Sequence, residues 1–105
     1  MSKDESYFAV ARTADDVYVR VHGMGNLLNA PFMNSFFEAA LDNGRCNILI
    51  DLGPCRGVDS TFMGTLLGIS TRCKEDGGTL VLLNVGPHCR KQLAGIGLEN
   101  GRAHV

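Results

Sequence analysis

The stretch 46–67, CNILIDLGPCRGVDSTFMGTLL, limits the folds open to this chain more than any other. It passes from a nearly unbroken apolar run, 46–52, through one short polar turn into a helical pattern marked by glycines. A second apolar run, TLVLLNV at 79–85, follows. A run like 46–52, rich in Ile and Leu, suits a strand covered on both faces. Strand, helix and strand joined by short connections close as a right-handed crossover, which makes the two strands parallel members of one sheet.

Upstream, 7–11 and 17–21 are β-prone runs separated by Arg12-Thr13-Ala14-Asp15-Asp16, and a hairpin is the natural reading. Val17, Val19 and Val21 alternate with Tyr18 and Arg20, so one face of that strand is buried and the other wet. His22 and Gly23 are expected to close the strand, with Gly23 and Gly25 marking a bend. Asn29 stands as an N-cap, Pro31 fits the first turn, and Met33, Phe36, Phe37, Ala40 and Leu41 form one apolar helical stripe opposite Glu38 and Asp42. Gly44 then ends the helix.

Within the central stretch, Asp51 interrupts the apolar run, Gly53-Pro54 breaks the ladder, and 55–58 reads as a loop into Asp59-Ser60-Thr61. From Phe62 the apolar positions 62, 63, 66, 67, 69 and 73 predict a helix that ends near Lys74-Glu75-Asp76, before Gly77-Gly78. Gly64 and Gly68, four apart, strip side chains from one side of it. Close packing inside the domain is the expected reason, with the approach of a partner protein as the other. Pro87 opens a last helix, with Cys89, Leu93 and Ile96 inward and Arg90 and Lys91 outward. The order β-β-α-β-α-β-α predicts an α/β fold: a mixed sheet of about four strands, an antiparallel N-terminal hairpin, parallel β-α-β units and about three helices packed on the sheet.

Size and charge bound the rest. At 105 residues, with 45% hydrophobic and 20% charged content, the chain fits one domain spanning 1–105. Ten Lys and Arg stand against eleven Asp and Glu, a net charge of -1, and the scattered basic residues argue against nucleic acid as a partner. Cys46, Cys55, Cys73 and Cys89 form no C-x-x-C pair and read as buried free thiols of a reducing compartment. No apolar run reaches the ~20 residues of a membrane span. MSKDESYFAV lacks the apolar segment of a signal peptide, so a soluble cytoplasmic protein is expected.

Chemistry-bearing motifs are few. No phosphate-binding glycine loop, nucleophile elbow or H-E-x-x-H occurs, and His22, His88 and His104 are isolated. Nothing in the spacing favours a triad built on Ser60, so no enzyme, metal or cofactor is expected. What remains is Asp59-Ser60-Thr61 at a helix start, where hydroxyl and carboxylate groups meet unpaired N–H groups and the positive end of the helix dipole. Capping and phosphate acceptance are both open to Ser60.

The motif VDSTFMG at 58–64, set after a strand ending I-D-L and preceded by VRVHG at 19–23, resembles the STAS domains of anti-sigma-factor antagonists. The resemblance runs to Gly97-Leu98, most of the chain. It implies a small switch protein phosphorylated on Ser60, with Thr61 as the alternative, by a partner anti-sigma factor that is itself a serine kinase of the histidine-kinase-like ATPase fold. The unphosphorylated form would bind that partner and free a sigma factor, and a phosphatase would reset it. ATP and magnesium would belong to the kinase. The implied partner-binding residues are Asp59, Ser60, Thr61, Phe62, Met63 and Gly64.

Two departures stand out. Many family members carry glycine where this chain has Phe62, which with Met63 would make an apolar anchor if exposed. The family's final strand and closing helix have no counterpart pattern in 99–105, as in a truncated piece, a fragment or a short variant. Two other readings keep the fold: a STAS scaffold of a transport or stress-signalling complex that does not switch, and a sensor holding a nucleotide or small anion on the helix N–H groups.

Overall fold

The computed structural model of the chain describes residues 6–26, 29–44 and 47–94. Its elements are β1 (Tyr7–Arg12), β2 (Asp16–Gly25), α1 (Ala30–Asp42), β3 (Asn47–Asp51), β4 (Cys55–Val58), α2 (Ser60–Glu75), β5 (Thr79–Leu83) and α3 (Pro87–Ala94). The strands make one five-stranded sheet in the order β1-β2-β3-β5, with β4 also paired to β2. β1 and β2 are antiparallel, and every other pairing is parallel, as the crossover rule requires.

The alternating strand positions Val17, Val19, Val21, Ile48, Ile50, Leu80 and Leu82 are buried. They share one core with Met33, Phe37, Ala40 and Leu41 of α1 and Phe62, Leu66, Ile69 and Cys73 of α2. The opposite parity, Leu49, Val81 and Leu83, is only half-buried. The expectation of a strand covered on both faces is thus corrected: among the described residues one face is sealed by helices and the other is partly open. Composition misled here, because half-buried Leu and Val read like fully buried ones. The two helices are also tied across their outer surface by Arg72, whose guanidinium meets Glu38 at 2.6 Å, Asp42 at 2.8 Å and Asp76 at 3.3 Å. No helix among the described residues is long and apolar enough to cross a membrane.

Three other boundaries differ from expectation. β2 does not close at Gly23 but runs ten residues to Gly25, because its last part finds a partner of its own. That partner is β4, read from sequence as a loop. Four residues containing Arg56 and Gly57 carry too little pattern to announce a strand. Beyond the Gly53-Pro54 break, β4 resumes along β2 with Gly23 opposite Cys55 and Gly25 opposite Val58. Asn29 stands at the N-cap of α1 but makes no side-chain cap bond. Its amide holds the preceding turn instead, donating to Met24 O at 2.8 Å and accepting from Asn26 N at 3.0 Å. Cys46, Ile96, His104 and the segment 97–105 lie outside the described residues.

Gly23 is one of two described glycines where an added side chain would collide with a neighbouring residue. It has φ +85, and a methyl group there would come within 2.6 Å of Ser6 Oγ. The other, Gly25, bears directly on the site.

Candidate functional site

β4 and α2 meet at a single residue, Asp59, and the geometry around it decides what Ser60 is free to do. Asp59 has extended backbone (φ -102, ψ 177) and its carboxylate accepts the Phe62 N–H at 2.9 Å. It is therefore the cap of α2, which removes the need for Ser60 to fill that role. The Asp59 N–H donates to Gly25 O at 2.9 Å, so the turn hangs from the end of β2.

Ser60 and Thr61 follow as the first two helical residues, both exposed. Phe62 is wholly buried, at 0% exposure. Its ring lies against Gly25, where a methyl group would sit 2.6 Å from Cδ2, and near Phe8, with ring centroids 6.4 Å apart. The anchor reading of Phe62 is accordingly corrected: the side chain is core and is withdrawn from the partner-facing set. The cause is a contact 37 positions back in the chain, which no local pattern reveals. Met63 is half-buried and packs on the core, while Gly64 is exposed.

The glycine stripe also departs from expectation. A methyl group at Gly64 or Gly68 would meet nothing within 4 Å, so neither glycine makes room for another element among the described residues. With Leu67 between them, 42% exposed, they form a bare outer strip one and two turns beyond Ser60. Burial runs instead along Phe62, Leu66, Ile69 and Cys73 on the other side.

Two supports of this region escaped the sequence reading. Gln92 of α3 binds the buried Val58 backbone through both ends of its amide, accepting from N at 3.1 Å and donating to O at 2.7 Å. It extends β4 as a further strand would and fixes the residue before Asp59. Asp51, only 4% exposed, gathers Tyr18 Oη (2.5 Å), Gly53 N (2.8 Å), Asn84 Nδ2 (3.1 Å) and Arg20 Nε (3.3 Å). Burial pushes its carboxyl up, but the bonds from Tyr18, Gly53 and Asn84 and the Arg20 charge outweigh that, holding it below its ordinary value. An acidic residue inside an apolar run was the available signal, since a buried carboxylate requires partners.

The histidines do not complete a catalytic set among the described residues. His22 is stacked on Tyr7 with centroids 4.2 Å apart, and His88 lies beside Gly57. What the site offers is an exposed hydroxyl at a positive helix end, bordered by the Asp59 carboxylate, with an apolar strip leading away from it.

A family model described as "Mlab, STAS domain" matches residues 8–103. Among similar solved structures, protein TM1081 of Thermotoga maritima has a TM-score of 0.85 at 20% identity, over 93% of this chain and 86% of that one. The Bacillus cell fate determinant SpoIIAA in its phosphorylated form gives 0.80 at 21%, over 94% and 91%. An anti-sigma factor antagonist from Mycobacterium paratuberculosis gives 0.81 at 18%, over 98% and 88%. No curated protein matches the chain in sequence. At such identities the likeness is one of fold.

Proposed function

Because the chain belongs to the STAS-domain family, we propose that it is a cytoplasmic, phosphorylation-switched anti-sigma-factor antagonist that binds a serine-kinase anti-sigma factor while Ser60 is unphosphorylated. The observation that carries this reading is the division of labour at the start of α2: Asp59 makes the cap bond, and Ser60 stands exposed beside it. A phosphate on Ser60 would add about -1.5 to -2 charges. The helix dipole tolerates that charge and Asp59 repels it, so folding is little altered. A partner seated on the turn must instead desolvate the dianion or supply arginines to it, either of which changes affinity enough to switch a complex. SpoIIAA, a fold neighbour, is known in unphosphorylated and phosphorylated forms, which supports the proposal.

A second reading, a STAS scaffold that docks regardless of Ser60, is favoured by the bare strip of Gly64, Leu67 and Gly68. Gly68 lies eight residues along the helix from Ser60, about 12 Å at the usual rise, and a partner gripping the strip alone would scarcely feel a phosphate. Incubation with a candidate kinase and ATP, followed by mass spectrometry, is expected to label Ser60. Binding of that kinase should persist in Ser60→Ala and weaken in Ser60→Asp. Equal binding by both variants would select the scaffold, and absence of label on Ser60 and Thr61 with a cognate kinase would remove the switch.

A further inference from the structure

The seam between β4 and α3 holds two thiols for which the proposed switch has no use. Cys55 opens β4 half-buried, and Cys89 is 2% exposed on the inner side of α3. Cys89 Sγ points back at the strand and lies 3.9 Å from Cys55 O, which places the thiol against the residue that carries the other one. Cys55 Sγ in turn lies 3.3 Å from Gly57 O. Neither is in a disulfide. The pair of hydrogen bonds between Gln92 and Val58 fixes the same seam one turn along α3, so the packing of α3 on β4 does not depend on the thiols themselves. A partly exposed thiol with a shielded one packed beside it is the arrangement in which the first is oxidised and the second resolves it.

We propose that Cys55 and Cys89 form an oxidation site, in which a peroxide converts Cys55 to the sulfenic acid and Cys89 closes a disulfide that staples α3 to β4. In the first step the Cys55 thiolate attacks one peroxide oxygen; the O–O bond breaks, the sulfur is oxidised and hydroxide leaves. In the second the Cys89 sulfur attacks the Cys55 sulfur, the S–O bond breaks, and the hydroxyl departs as water with the Cys89 proton. Burial, and then the nearness of Cys55, push the Cys89 thiol up to about 11, which keeps it protonated and leaves the first step to Cys55. The bridge would join positions 34 apart and enclose all of α2, Ser60 included.

The test treats the whole chain with hydrogen peroxide in the presence of dimedone, then maps peptides without reduction. The wild type is expected to lose two hydrogens, with the bridge on the Cys55 and Cys89 peptides and little dimedone on Cys55. Cys89→Ala should instead collect dimedone on Cys55, at least several-fold above wild type. The oxidised wild type should melt higher than the reduced, and dithiothreitol should reverse the gain. A bridge formed elsewhere, or equal dimedone labelling of Cys55 in wild type and Cys89→Ala, would overturn the proposal. None of these readings requires Ser60 to be phosphorylated, so the oxidation site and the switch stand or fall separately.

Discussion

Replacing Gly25 by alanine tests how the serine turn is held. A methyl group at Gly25 would lie 2.6, 2.7 and 2.8 Å from Phe62 Cδ2, Cε2 and Cγ, all closer than van der Waals contact. The ring cannot swing into solvent, because Phe62 is fully buried, so the ring must shift or β2 and α2 must part. Overpacking of that kind destabilises by ~1–3 kcal/mol. Phe62→Leu, which empties part of the ring's volume, should alone destabilise by about 1–2 kcal/mol. In the double variant the alanine methyl occupies space the ring has left, so the combined loss should fall short of the sum by roughly 1 kcal/mol or more, as expected of residues in contact. Urea titration of the four proteins, followed by circular dichroism, measures each term. Every kcal/mol should also move the melting temperature by about 4–8 °C in a domain of this size. Single-variant losses that add within about 0.5 kcal/mol would refute the contact and the account of Phe62 as core.

Gly64→Ala and Gly68→Ala fill open space on a helix, so each should stabilise by about 0.5–1 kcal/mol through propensity alone. A rise in melting temperature accompanied by weaker partner capture would mark the strip as a docking surface, and a fall would contradict the openness of both positions. Asp51→Asn should destabilise at neutral pH by roughly 1–3 kcal/mol through disturbed hydrogen bonds. The folded carboxyl titrates below its ordinary 3.8, so its contribution is complete above that value and is lost as pH falls through and below it. The gap between wild type and Asp51→Asn should therefore narrow on acidification in paired urea titrations, and a constant gap would argue against the network.

Sequence legibility followed the range of the interaction concerned. The stripe of α1 could be read because Met33, Phe37, Ala40 and Leu41 repeat at the helical period and bury together. The start of α2 was equally open to inspection, since an Asp cap acts within three residues. β4 was missed because it exists through pairing with the far end of β2, not through its own residues. Phe62 misled because its burial is set by Gly25. Asp51 and Gln92 announced only polarity, with all partners but the Gly53 amide 31 to 34 positions distant. The glycine strip shows the reverse error: spacing suggested a snug neighbour where the described residues leave open space.

The amide of Asp59 is bonded to Gly25, at the end of a strand flanked by β1, β3 and β4. A central strand with neighbours on both edges is among the last parts of a domain to open in native-state fluctuations. The serine is thus moored, through the β4-paired end of β2, to the strand with the most neighbours in the sheet, while itself lying outside. Any enzyme that modifies it meets the intact fold and has no need to wait for breathing, so the rate of that encounter should follow the enzyme's concentration and be indifferent to how tightly the domain is folded.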